Sequence, residues 1–449
     1  MKQGSIATFG MPLLAATFLL AEPLPVPAGM AAGLFSQAHA QKDDNVRRTP
    51  AMRQNVHKRF SRIRQLADND KLDKAFEVWE RMDPASLNSY ERAMRWNLAA
   101  FLHHQKDDHG AIANAYRELL KQSDIPLSLE QDTWYSLARV EMVRERYSAA
   151  MEALEEWFAL QDDPGAEAYA LKAQLQYRQE NWDEALAAID RAIGTRREGK
   201  GDVAENWYLL KRGILYQKED YQGLARVLEV LVREYPQKSY LMQLSSVYGE
   251  LDKPREQLAV REAAYEKGYL EKESELVGLA QLLASQDSPF KAAQVMRQGI
   301  DSGNIEANSD NLERMGDHFL MAKEYDEAIN AFKQAAGKTN DGRLQLRMAQ
   351  VAADLGQWEQ AGAYAATAIE RGGFDRLGRA HVVRGLALYH QDRFSESLRA
   401  FKQGRRFEAT QKMAKQWHDY VEREQKRRQQ LEASTETGKG EGESTAQVL

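Results

Sequence analysis

A short pattern of apolar and polar positions recurs along the chain. An aromatic residue is followed by two mostly polar residues and then a small one. It reads Tyr147-Ser-Ala-Ala150, Trp182-Asp-Glu-Ala185, Phe290-Lys-Ala-Ala293, Tyr325-Asp-Glu-Ala328, Trp358-Glu-Gln-Ala361 and Phe394-Ser-Glu-Ser397. Four residues past the small one, most units place another apolar or aromatic residue, as at Trp79, Leu154, Ile189, Phe332 and Phe401. Spacings of three and four put these side chains on one face of a helix. Thirteen residues before the first aromatic stands a further large residue, as at Trp134, Tyr169, Tyr208 and Leu312. That distance predicts an earlier helix, joined to the second by a polar turn such as Gln179-Glu-Asn181.

Extending the register finds weaker units keyed on Leu72, His109, Tyr221 and Pro254, ten units in all, 33 to 39 residues apart. The tetratricopeptide repeat (TPR) has this pattern with a period of about 34 residues. Its small residue lets the second helix approach the first closely. Pro236 falls where such a second helix ends. An unrelated helical array of similar period is the competing reading. The expected fold is all-α: a right-handed TPR-type α-solenoid of about ten helix pairs over residues 56–410. A capping helix is expected at 411–431, with Met413, Trp417, Tyr420 and Val421 covering the last repeat. Residues 432–449 are rich in Ser, Thr, Gly and Glu and are expected to be a disordered tail.

Composition fits helices in water: 29% of residues are charged and only 11 are Pro. A net charge of -6 argues against nucleic acid as a partner. The first 40 residues stand apart. Lys2 precedes an apolar stretch from Ile6 to Ala21, and Ala38-His-Ala40 has the small-x-small form of a secretory cleavage site, so a signal peptide is expected at 1–40. An uncleaved membrane anchor is the competing reading, set back by Gly10 and Pro12 within the run. The chain has no Cys, which excludes a lipidated N-terminal Cys, disulfides and thiolate metal sites. Export without an anchor makes the periplasm the expected location.

No phosphate-binding loop, zinc-protease or serine-hydrolase motif occurs in the sequence. With ten units filling the chain, no catalytic domain has room, so no enzyme activity, cofactor or metal is expected. His103, His104 and His109, with Asp107 and Asp108, form the one His cluster. His103 and His109 sit where other repeats place aromatic residues, so packing accounts for them.

Two features suit binding. First-helix positions facing away from the second helix line the inner surface of a TPR array. The register places Asn97, Phe101, His104, Tyr135, Arg139, Tyr177, Arg178 and Tyr216 there. Aromatic rings with interspersed Arg suit an extended peptide; the alternative is that half of them simply pack between repeats. The second feature is a basic segment at 41–55 running into the first helix. Residues 41–64 carry Lys42, Arg47, Arg48, Arg53, Lys58, Arg59, Arg62 and Arg64 against Asp43 and Asp44. This patch suits an acidic partner or peripheral contact with anionic lipid headgroups; a solvated helix face is the alternative.

Several blocks do not follow from the repeat consensus. They are Arg47-Arg-Thr-Pro-Ala-Met-Arg-Gln-Asn55, Asn88-Ser-Tyr-Glu-Arg-Ala-Met94, Trp96-Asn-Leu98, Asp124-Ile-Pro-Leu127, Glu205-Asn-Trp-Tyr-Leu-Leu210, Val247-Tyr-Gly-Glu250, Lys272-Glu-Ser-Glu-Leu276 and Ala414-Lys-Gln-Trp417. In these the chain resembles a family of exported bacterial TPR proteins encoded beside ExbB, ExbD and TonB. The resemblance implies a periplasmic scaffold or adaptor accessory to that machinery, which drives iron-complex uptake. A general cell-envelope adaptor, serving polysaccharide export or cell-wall assembly, is the alternative.

Overall fold

A computed structural model describes residues 51–444, with side chains described as far as residue 431. The signal peptide, Arg47, Arg48 and most of the basic segment lie outside the described residues. Those described form twenty-one α-helices and a 3-10 turn at Pro84–Ser86, without a strand.

The helices come in antiparallel pairs, and the contacts divide them into two compact units. Unit 1, up to Gln237, holds five pairs: α1 (Gln54–Asp68) with α2 (Leu72–Glu80), α3 (Ser89–His104) with α4 (His109–Leu120), α5 (Leu127–Val143) with α6 (Tyr147–Ala159), α7 (Ala166–Arg178) with α8 (Trp182–Glu198), and α9 (Glu205–Gln217) with α10 (Tyr221–Glu234). Unit 2, from Lys238, holds five more: α11 (Lys238–Glu250) with α12 (Pro254–Glu266), α13 (Glu273–Ser285) with α14 (Pro289–Asp301), α15 (Ser309–Met321) with α16 (Tyr325–Ala336), α17 (Arg343–Asp354) with α18 (Trp358–Arg371), and α19 (Leu377–His390) with α20 (Phe394–Gly404). The final helix α21 covers Glu408–Ser444. Ten pairs and a covering helix are the architecture read from the register. The helical backbone of α21 starts before residue 411 and continues past 431 into the segment expected to be a tail.

The pairs are joined by one repeated turn. Two residues before each second helix, the backbone is left-handed, from Asp70 (φ 56°) in the first pair to Asp392 (φ 61°) in the tenth. The next N–H then reaches back five residues, as from Lys71 to Leu66 O (2.9 Å) and from Arg393 to Leu388 O (2.9 Å). This closes the orphan carbonyls of the first helix in a Schellman motif. Only at Gly356 is the left-handed residue a glycine; elsewhere it is Asp, Glu or Lys, which adopt this conformation at a cost.

Packing follows the pattern of small and large residues. Ala75, Ala150, Ala185, Ala293, Ala328, Ala361 and Ser397 are wholly covered. So are Leu154, Ile189, Phe332 and Phe401 one turn further on. Removing large apolar side chains from water supplies about 1.5–3 kcal/mol each. The weak unit keyed on Pro254 departs from this. Gln257 and Arg261 stand where most units carry a small and an apolar residue, and Arg261 Nε donates to Ser245 Oγ at 3.2 Å. At the other end, Ala414, Trp417 and Val421 of α21 lie against Val382 and Phe401. The Trp417 ring stacks on Phe401 with centroids 6.3 Å apart. Met413, one residue off this face, is exposed, and Tyr420 lies at its edge.

Candidate peptide-binding face

The expected groove residues sit on the first helices of unit 1. On α3, Phe101 is half-buried against a core that runs from α1 to α5, Asn97 is half-buried and His104 is exposed. This trio is therefore split: its aromatic member supports the core and only its edge faces outward. On α5, Tyr135 and Arg139 are one turn apart. The Tyr135 ring leans on Trp157 of α6 at 5.1 Å. Arg139 lies close enough to Tyr135 and to Tyr116 of α4 to act on both phenols. On α7, the Tyr177 ring meets Trp182 edge-on at 5.2 Å. Its hydroxyl hydrogen-bonds the side chain of Gln217 on α9, and Arg178 and Arg212 flank it. Tyr216 is exposed beside Gln217.

The structure thus brings together Tyr116, Tyr135 and Arg139 on one side, and Tyr177, Arg178, Arg212 and Gln217 on the other. Burial pushes the phenols of Tyr116, Tyr135 and Tyr177 up, and nearby arginines offset part of the rise. All three stay neutral at physiological pH, as hydrogen-bonding groups beside fixed cations. Such a face offers neutral hydroxyls and guanidinium forks to carboxylates or backbone carbonyls. Sequence reasoning missed Tyr116, Arg212 and Gln217. Tyr116 lies on a second helix, outside the positions projected. Arg212 stands one turn before Tyr216, a spacing that could have found it.

First helices of unit 2 also carry arginines. Arg347 of α17 bonds Glu313 (2.8 Å) and Asp317 of α15, and Arg343 also pairs with Glu313. Arg347 further lies over the Phe332 ring at 4.6 Å. These cations are spent on neighbouring repeats.

The basic start is partly built into the fold. Arg53 clamps Glu91, through Nε (3.0 Å) and Nη2 (2.5 Å), and its backbone N–H adds a third bond (2.8 Å). Asn88 caps α3 and donates to Ala51 O at 3.1 Å. Two of the blocks outside the repeat consensus meet at this knot. Burial alone would raise the Glu91 pKa, but the bonds from Arg53 and Asn88 hold it below the ordinary carboxylate value. Arg53 thus leaves the surface patch, because a covered carboxylate needs it. Arg64 is half-buried, and burial lowers its pKa. Lys58, Arg59 and Arg62 remain exposed, opposite the buried Val56, Phe60 and Ile63.

His103 packs on Phe76 at 5.0 Å, and burial lowers its pKa. His109 lies 3.6 Å from Asp107. Among the described residues, no cluster of three or more His, Asp or Glu is placed to hold a metal ion. No described helix is long and apolar enough to cross a membrane.

Comparison with known proteins follows the same lines. The tetratricopeptide repeat family matches residues 135–202 and 346–409. No curated protein matches. Among solved structures, the chain is similar to the TPR2AB domain in the pHSP90 complex of yeast Sti1, with 15% identity over 65% of this chain and 98% of that one, at a TM-score of 0.27. It is similar to the apo form of RapI, with 17% identity over 71% and 97% and a TM-score of 0.33. MamA aligns with 15% identity over 39% and 94%, at 0.32. At such identities and scores, the partners of those proteins remain theirs alone. The matched stretches are tetratricopeptide repeats lying in the helix pairs of each unit, and such repeats indicate a scaffold for protein–protein interaction.

Proposed function

We propose that the protein is an exported scaffold that holds an extended segment of a partner protein on the first-helix face of unit 1, as an accessory of the TonB–ExbB–ExbD system. The observation that carries the binding part is the pair of braced phenols, Tyr135 and Tyr177, with the guanidiniums of Arg139 and Arg212 near them. Rings already braced by Trp157 and Trp182 lose little freedom when a ligand arrives. The system assignment is supported by the residue blocks beyond the repeat consensus, and the periplasmic location by the leader pattern of residues 1–40. Lys58, Arg59 and Arg62 are the cations that a peripheral membrane contact would use.

A tagged protein should appear in the periplasmic fraction and, after crosslinking in detergent, retain TonB, ExbB or ExbD. Consistent failure to retain any of the three sinks the system assignment. A Tyr135→Ala/Arg139→Ala variant should lose most of the retained partner. In the alternative of a general envelope adaptor, deletion disturbs envelope integrity and leaves growth on iron complexes normal.

A further inference from the structure

The last helix pair and the start of α21 carry a basic surplus as large as that of residues 41–64. Residues 375–415 hold ten Lys and Arg against four Asp and Glu, within a protein of net charge -6. Of those ten, only Arg393 makes an ion pair among the described residues, with Glu396 at 2.7 Å. The arginines of neighbouring repeats behave differently: Arg297, Arg343 and Arg347 are all paired.

The unpaired cations converge. α19 begins at Leu377, α20 ends at Gly404 and α21 begins at Glu408, so three helix ends share one edge. The contact there is close: a Cβ on Gly378 would come within 2.7 Å of Phe407 Cβ. His381 stacks on Phe407 at 5.9 Å. Around this half-buried aromatic seam stand Arg376, Arg379, Lys402, Arg405, Arg406 and Lys412, all exposed. Left unpaired, they repel one another, and an anionic partner relieves that repulsion.

We infer that this edge of unit 2 is a second docking surface, which takes an Asp/Glu-rich segment of a partner protein. Arg predominates among the cations, and its planar fork matches carboxylates in two-point contacts. The surface is also interrupted by acids: Asp375 and Glu408 are exposed within it. A uniformly anionic bilayer would press its charge against both. A peptide can seat its carboxylates over the arginines and leave those two positions clear. The surface is separate from the first-helix face of unit 1 and stands whether or not that face binds.

The test uses the full chain and a fluorescent peptide of alternating Glu and Ser, read by anisotropy, with an Asn/Ser peptide as control. The Glu/Ser peptide should bind, weaken as salt is added, and ignore the control sequence. Arg405→Glu/Arg406→Glu should weaken it by about tenfold or more. Arg226→Glu/Arg255→Glu, exposed on α10 and α12 and outside every basic patch, should leave it unchanged. Circular dichroism melts confirm that both variants fold; if the first does not, Arg405→Gln/Arg406→Gln replaces it. Absent binding, or equal binding by the reversed variant, overturns the inference. Sedimentation with phosphatidylglycerol vesicles but no peptide binding overturns it in favour of a lipid surface.

Discussion

Replacing Gly316 by Ala tests whether close helix approach, rather than helix propensity, governs the repeat core. Gly316 lies inside α15 with normal helical backbone, so its freedom of φ is not in use. A Cβ there would lie 2.6 Å from Phe332 Cε1 and 2.7 Å from Cδ1. An ordinary carbon contact is about 3.5–4.0 Å, so the ring must retreat by roughly 1 Å. Phe332 is wholly covered, and the Arg347 guanidinium lies over its face, so it has nowhere to go. Overpacking of this kind costs about 1–3 kcal/mol. Ala gains about 1 kcal/mol over Gly in a helix. With the ring held from both sides, the net expectation is a loss of about 1–2 kcal/mol. Gly194 in α8 provides the counter-case, because a Cβ there meets nothing within 4 Å. Gly194→Ala should stabilise by about 0.5–1 kcal/mol. Hydrogen exchange by mass spectrometry reads both locally, which matters because repeat arrays need not unfold as one unit. Amides of α15 and α16 should exchange roughly tenfold faster in Gly316→Ala, and those of α8 more slowly in Gly194→Ala. Adding Phe332→Leu should restore part of the loss, giving a coupling of about 1 kcal/mol. If Gly316→Ala slows exchange as Gly194→Ala does, close approach is not what reserves that position for glycine.

The repeated turn predicts opposite outcomes at equivalent places: Gly356→Ala should lower stability by about 1 kcal/mol, and Lys323→Gly should raise it by about 0.5–1 kcal/mol, read from urea midpoints. Arg53→Ala should speed exchange across α1 at neutral pH. Glu91 has a lowered pKa, so its contribution is present above the ordinary value of 4.5 and lost as pH falls through the folded value; the variant's defect should fade over that range. Burial lowers the His318 pKa below its ordinary 6.5 despite the nearby Asp317, so neutral His318 stabilises above 6.5 and that part is lost on acidification. Thermal melts of His318→Gln should be flatter than wild type as pH falls from about 7 to about 5. Tyr177→Phe keeps the ring on Trp182 but removes the hydroxyl, so it should weaken partner retention and leave the melt within about 0.5 kcal/mol of wild type.

Nine of the ten keyed residues read from the sequence are the first residues of their second helices, and at the seventh the helix begins one residue earlier, at Pro289. That precision has a physical source. The aromatic, small and apolar residues at spacings of three and four must face the first helix, and a slip of one residue would point them elsewhere. The turn was not legible in the same way. Glycine is the familiar mark of a left-handed residue, and nine of the ten turns use Asp, Glu or Lys instead. The covering helix shows a similar limit. Trp417 and Val421 were placed well, but a bare list of apolar residues could not tell Ala414, which is covered, from Met413, which is not.

The candidate face was legible by position but not by what each side chain is spent on. Phe101 and Tyr135 are both half-buried against core clusters, yet only Tyr135 has an arginine, Arg139, one turn along its helix. Arg53 and Arg59 look alike in the sequence, yet only Arg53 meets a covered carboxylate. The second difference depends on a residue far along the chain, which no local pattern encodes. Under the proposed function, packing and binding are compatible for the tyrosines. A ring packed against the next helix has already lost its rotamer freedom, so a ligand that meets its polar edge pays less for order. Tyr135 and Tyr177 meet that condition, and exposed Tyr216 and His104 do not. Binding energy should therefore concentrate in the middle of unit 1, where packing has prepared it.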